Sequence, residues 1–234
     1  MKIIKFALSF LCAAFIVLAL ITLAMIISQN VLDALSNDSA SALVRRAKFN
    51  EPIRIGALQT SLEEVSVGYA SIELIARFVG MEETPVPHRG RERWSNSEFY
   101  AELRRVFTQY EIIKHANIRN TELVDTIYDA LSAGNPVIAF RAVEIFDDDE
   151  SEGRWEMRYD VVIGVDLPRD RITLNDPHGF VTRISLSEFI RSVRFQEYEM
   201  SLFEILAFAY RLYQRNTIYI IDRGGTVQIA EIEE

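Results

Sequence analysis

The stretch RWEMRYDVVIGVDLPRDRITLND, Arg154 to Asp176, decides the fold. Two runs in it, RWEMRYDVVIGVDL, rich in Val, Ile, Tyr and Trp, and RITLND, read as successive strands. A strand signal precedes them, PVIAFRAVEIF, and two follow, FVTRISL and TIYIIDR. Upstream the periodicity is helical. Residues 66–79 carry Ile72, Leu74, Ile75, Phe78 and Val79 near helical spacing, with Gly80 as the stop. SNSEFYAELRRVFTQY predicts an amphipathic helix capped by Ser95 or Ser97, with Phe99, Leu103, Val106 and Phe107 inward. NTELVDTIYDALSAG predicts another, capped by Asn120 or Thr121 and ended by Gly134. SLSEFIRSVRF and SLFEILAFAYRLYQR form a helical pair or one long helix, and PIRIGAL is a first strand. Helices first and a strand meander afterwards predict an α+β domain with a mainly antiparallel sheet.

Composition sets the remaining bounds. The chain has 234 residues, of which 49% are hydrophobic, enough for one domain with a core and a short accessory segment. All 34 acidic residues follow residue 32, together with 23 basic ones, a net of −11. That balance argues against nucleic acid as a partner, whose affinity comes from basic patches. Cys12 is the only cysteine, so the rest of the chain has no disulfide, thiolate nucleophile or cysteine metal ligand. Nothing calls for a cofactor or a metal.

Residues 6–27, FALSFLCAAFIVLALITLAMII, contain no charge and no proline. As a helix they would reach about 33 Å at ~1.5 Å per residue, against a bilayer core of ~30 Å. The alternative, a cleaved signal peptide, needs a shorter apolar core and a nearby small-x-small site. The expectation is a single-pass membrane protein. Lys2 and Lys5 before the span, and Asp33 and Asp38 after it, place the N-terminus in the cytoplasm and the main domain outside. The expected organisation is a cytoplasmic N-terminus at 1–5, the span at 6–27, a juxtamembrane helix and linker at 28–50, and the domain at 51–234.

Four pieces carry a resemblance: LQTSLEEVSVGYASIELIARFVG, LSAGNPVIAF, RYDVVIGVDLPRDRITLNDPHG and ISLSEFI. In this order they resemble the papain-like cysteine peptidase superfamily, in its bacteriocin-leader (double-glycine) peptidase-like branch, over residues 53–222. The resemblance implies helices packed on a mainly antiparallel sheet. It also implies an oxyanion Gln, a Cys opening a helix, a His before Tyr-x-Val-Val, and an Asp in Asn-Asp-Pro. Carried onto this chain, the Gln matches Gln59 and the Asp matches Asp176. The nucleophile position falls on Val67 and the His position on Arg158.

Such a site needs a thiolate held by a helix dipole and an imidazole that moves protons. Valine has no lone pair, and arginine stays protonated at neutral pH. The resemblance therefore implies a pseudo-peptidase with no catalytic residue intact. In this branch, degenerate domains beside transporters hold substrate. The implied function is a protein- or peptide-binding accessory subunit of a membrane complex. By this register, Val67→Cys with Arg158→His would regain weak reactivity.

Two rivals stand beside this reading. One is a hydrolase using Ser66, one residue before the nucleophile position, with His88, His115 or His178 as base. The other is a purely structural subunit whose cleft is filled by its own side chains. Gln59 can equally end a strand, and Asp176 can equally serve the NDPHG turn. On neighbouring strands, Arg158 and Asp176 could form an ion pair in place of a His–Asp contact. The acidic run 147–152 is consecutive and fits a solvated hairpin tip better than a calcium loop. HRGRERW, 88–94, is a charged loop or a receptor for an acidic partner. LFEILAFAYRLY, 202–213, is core, or docks a partner, or rests near a membrane.

Overall fold

The computed structural model describes residues 12, 14–24, 27, 52–55, 67–81, 94–145, 153–176 and 180–224. The chain divides into two compact units, Met1–Asn37 with Met200–Tyr213, and Asp38–Glu199 with Gln214–Glu234.

The larger unit holds the sheet. Its elements are β1 (Ile53–Arg54), α2 (Val67–Phe78), α3 (Asn96–Val106), β2 (Glu111–His115), α4 (Asn120–Ser132), β3 (Val137–Ile145), β4 (Arg154–Asp166), β5 (Arg171–Asn175), β6 (Val181–Ser185), α5 (Leu186–Arg194) and β7 (Thr217–Asp222). The sheet runs β2-β7-β3-β4-β5-β6 with β1 paired to β4, and every pairing is antiparallel. The α+β expectation holds. β2 is an addition: EIIKH is too short to announce itself and gains its place by pairing with β7 from Glu111↔Asp222 to His115↔Ile218.

The helix stops follow their chemistry. Ser95 caps α3 through a capping box with Glu98. Gly80 and Gly134 end α2 and α4 with φ of 78° and 72°, a conformation glycine adopts without strain. The expected cap of α4 is corrected: the N-cap is Arg119, which makes no side-chain cap bond, and Asn120 instead accepts from Asn216 Nδ2 at 3.1 Å. Gly164 lies at a register shift in β4, where a Cβ would stand 3.1 Å from the Ile53 carbonyl oxygen, so glycine is what admits β1.

Alternation along the strands sends neighbouring side chains to opposite faces. One face gathers Val137 and Ala139 of β3, Val162 of β4, Ile172 and Leu174 of β5, and Ile218 and Ile220 of β7. They form a core with Leu123, Ile127 and Leu131 of α4 and Leu186, Phe189 and Val193 of α5. The other face receives α2 and α3.

The smaller unit contains α1, described over residues 14–24, and α6 (Leu202–Ala209). Ser201 caps α6 with Glu204, and Thr22 Oγ1 lies 3.2 Å from the Tyr210 hydroxyl. The single-pass expectation is corrected. Among the described residues no helix is long and apolar enough to cross a membrane. The cytoplasmic N-terminus and the external domain were inferred from that span and fall with it. Residues 28–50, the acidic run 147–152 and residues 88–93 lie outside the described residues.

Candidate functional site

Of the sequence-derived positions, Val67, Arg158 and Asp176 can be located, and Gln59, Ser66, His88 and His178 lie outside the described residues. Val67 is the first residue of α2. The start of α2 rests on β4. A Cβ on Gly68 would lie 3.4 Å from the Phe99 ring and 3.5 Å from the Tyr159 ring, and Ser71 Oγ donates to the Tyr159 carbonyl. Tyr159, next to the position matched to the family's histidine, is therefore the β4 residue that meets the helix start.

Rings fill this place. Phe99 stacks on Tyr159 with centroids 3.7 Å apart and meets Tyr219 edge-on at 5.1 Å. Trp94 lies at 6.3 Å from Phe99, and Phe140 at 4.9 Å from Tyr159, its cross-strand partner. The hydroxyls are tied off. Tyr159 donates to the Trp94 carbonyl at 3.1 Å. Tyr219 donates to the Asn96 carbonyl at 3.1 Å and accepts from Asn96 Nδ2 at 3.0 Å. Burial pushes the Tyr219 hydroxyl above its ordinary pKa, and Tyr69 follows for the same first reason. Further along α2, a cavity of about 10 Å³ lies among Leu74, Ile75, Phe78, Val161, Ile163 and Asn175. It has room for about one water.

Arg158 points to the other face, with Asp160. Its Nε donates to Asp160 Oδ1 at 2.9 Å and its Nη2 pairs with Asp176. Asp160 Oδ2 takes Arg141 Nε, and Arg141 Nη1 reaches Ser192 Oγ at 3.4 Å. Arg141, Arg158 and Asp160 are 7%, 5% and 1% exposed and Asp176 is half-buried, so three of these four charges are held out of water. Burial by itself would lower the pKa of Arg158. The carboxylates of Asp160 and Asp176 outweigh it and hold the guanidinium above its ordinary value. A base cannot be made of it.

The structure thus brings Arg158 and Asp176 together, and it sends Arg158 away from the α2 start. His115 is the one histidine among the described residues. It stands on β2, separated from β4 by β7 and β3, about 14 Å in strand spacings. No group of three or more metal-ligating side chains occurs among the described residues. Arg141 and Asp160 were missed. Their signal is present: each is a charge inside an apolar strand run, PVIAFRAV and RYDVVIGV, and such a charge requires a partner.

Neither a family model nor a curated protein matches this chain.

Proposed function

We propose that the sheet-bearing unit is a catalytically inactive, papain-like domain that serves as a protein- or peptide-binding accessory subunit. The observation that carries this reading is what β4 sets against the start of α2: the ring of Tyr159, its hydroxyl tied to the Trp94 carbonyl. Position 158, matched in sequence to the family's histidine, is an arginine bound by Asp160 and Asp176 on the opposite face. The proposed nucleophile position is a valine. Ser71, the one serine of α2, is buried and donates to the Tyr159 carbonyl. Filling of the α2 side by Phe99 and Tyr159 supports a second reading, a purely structural subunit. The two part on whether the purified chain binds a peptide.

The test is chemical. Wild-type protein incubated with thiol-directed and serine-directed peptide probes, and with a mixed peptide panel, is expected to form no adduct and release no product. Val67→Cys with Arg158→His is also expected to stay inert, because position 158 shares the face of Asp160 and not that of Tyr159. Cleavage by wild type that Ser66→Ala abolishes would overturn the reading in favour of a serine hydrolase.

A further inference from the structure

We propose that the edge strand β6 is a docking site for an extended peptide segment carrying an apolar residue and an acidic residue two positions apart. This rests on the non-catalytic, peptide-binding reading and assigns it a place outside the filled α2 side.

The two edges of the sheet differ. β2 is covered by α3, and the Tyr100 hydroxyl donates to the Ile112 carbonyl at 3.3 Å. β6 has β5 on one side and no described strand on the other. The Asp176 N–H donates to the Phe180 carbonyl at 2.8 Å, which fixes the alternation of the β5–β6 ladder. Residues 180, 182 and 184 then turn their backbone groups toward β5. Val181 and Arg183 turn their N–H and C=O outward, and among the described residues nothing bonds to them. An unpaired row of this kind is what an added strand recognises.

The side chains say which strand. Phe180 is 72% exposed and Val181 41%, and Arg183 is exposed. Register places Arg183 opposite Thr173 and Ser185 opposite Arg171, so Arg171 and Arg183 share one face as diagonal neighbours. Both guanidiniums are exposed, and neither has a carboxylate partner among the described residues. Val181 lies on the same face, two residues before Arg183. A strand laid alongside would set one side chain against Val181 and another, two positions away, against Arg183 and Arg171. Apolar contact suits the first and a carboxylate the second. A second copy suits the edge poorly, since pairing β6 with β6 would bring two such guanidinium pairs together.

The full chain is titrated into a fluorescein-labelled, C-terminally amidated peptide, Thr-Val-Thr-Glu-Thr, and anisotropy is read. Saturable binding at millimolar protein or below is expected, weakened roughly tenfold when lysine replaces the glutamate or when Arg183→Glu inverts the edge. Val181→Pro is expected to abolish binding with an unchanged thermal midpoint. Proline is tolerated at the first residue of an edge strand and removes an outward N–H. The surface variant Arg183→Glu serves if the proline variant fails to fold. Absence of saturable binding, equal affinity for the glutamate and lysine peptides, binding undiminished by either variant, or a dimer in sedimentation that Arg183→Glu disrupts would each overturn the proposal. Mass spectrometry of the recovered peptide keeps the two readings apart. An intact peptide that does not bind breaks this proposal alone, whereas a cleaved one breaks the non-catalytic reading.

Discussion

Tyr159 and Arg158 are neighbours on one strand and live in different chemistry. On the α2 side Tyr159 is sandwiched among rings, and its hydroxyl is its one polar obligation. On the α5 side Arg158 belongs to a buried lattice of guanidiniums and carboxylates. One strand thus serves two kinds of packing, rings against the start of α2 on one face and ion pairs on the other. The two faces should also fail differently. The charged face depends on completeness, because removing one member strands its partners in a dry place. The aromatic face depends on area, and single atoms matter less there.

The largest effect is expected from Asp160→Ala. It leaves Arg141 without its carboxylate and Arg158 with Asp176 alone, at a cost of about 3–5 kcal/mol in urea unfolding. Replacing Arg141 and Arg158 by methionine together with Asp160→Leu and Asp176→Asn, so that no charge of the cluster is left behind, should recover most of that loss. A loss under about 1 kcal/mol for Asp160→Ala would erase the contrast between the faces.

A pH effect comes next and belongs to the aromatic face. Burial raises the pKa of Tyr219 in the folded chain above its ordinary value near 10.0. The unfolded chain therefore loses that proton first. The stability is fully present below about pH 10 and is lost as pH rises beyond it. A thermal midpoint that falls from pH 9.5 to 11, roughly, with a shallower fall in Tyr219→Phe, is the expected record. An equal fall in both proteins would assign it elsewhere.

Tyr159→Phe should cost about 1 kcal/mol by leaving the Trp94 carbonyl without its donor, while the stack on Phe99 persists. Near-ultraviolet circular dichroism should stay close to wild type. The smallest effect is expected from Gly68→Ala. The added methyl finds ordinary contact at 3.4–3.5 Å, and the gain in helix propensity is about 0.5 kcal/mol. A destabilised Gly68→Ala, measured by the same unfolding, would show that the helix start is packed tighter than Phe99 and Tyr159 allow.

Much of the fold was legible because its signals are local. Six strand runs stand where apolar and β-branched residues cluster, and Ser95, Gly80 and Gly134 punctuate the helices as their backbone preferences require. The boundary between α5 and α6 was open in the sequence. The left-handed turn at Phe195, φ 58°, closes α5 there. β2 was missed because five residues take strand form from their partner rather than from their pattern. For the candidate site, the pairing of Arg158 with Asp176 was legible from strand adjacency. Its completion by Asp160 and Arg141 was not, since that needs the register between β3 and β4.

By itself the sequence determined the order of helices and strands, the acidic balance, and the lack of cysteine beyond Cys12 and of histidine at position 158. Those are properties of residue identity and near-neighbour spacing. Only the tertiary structure decided that Arg158 turns from α2, that Phe99 and Tyr159 occupy the helix start, and that, among the described residues, β6 has no outer neighbour while α3 lies against β2. It also left no helix among the described residues long and apolar enough to cross a membrane, a matter on which apolar composition alone had pointed the other way. The physical reason is common to all four. Faces, registers and element lengths are set by which surfaces meet, and the meeting partners are distant in the chain.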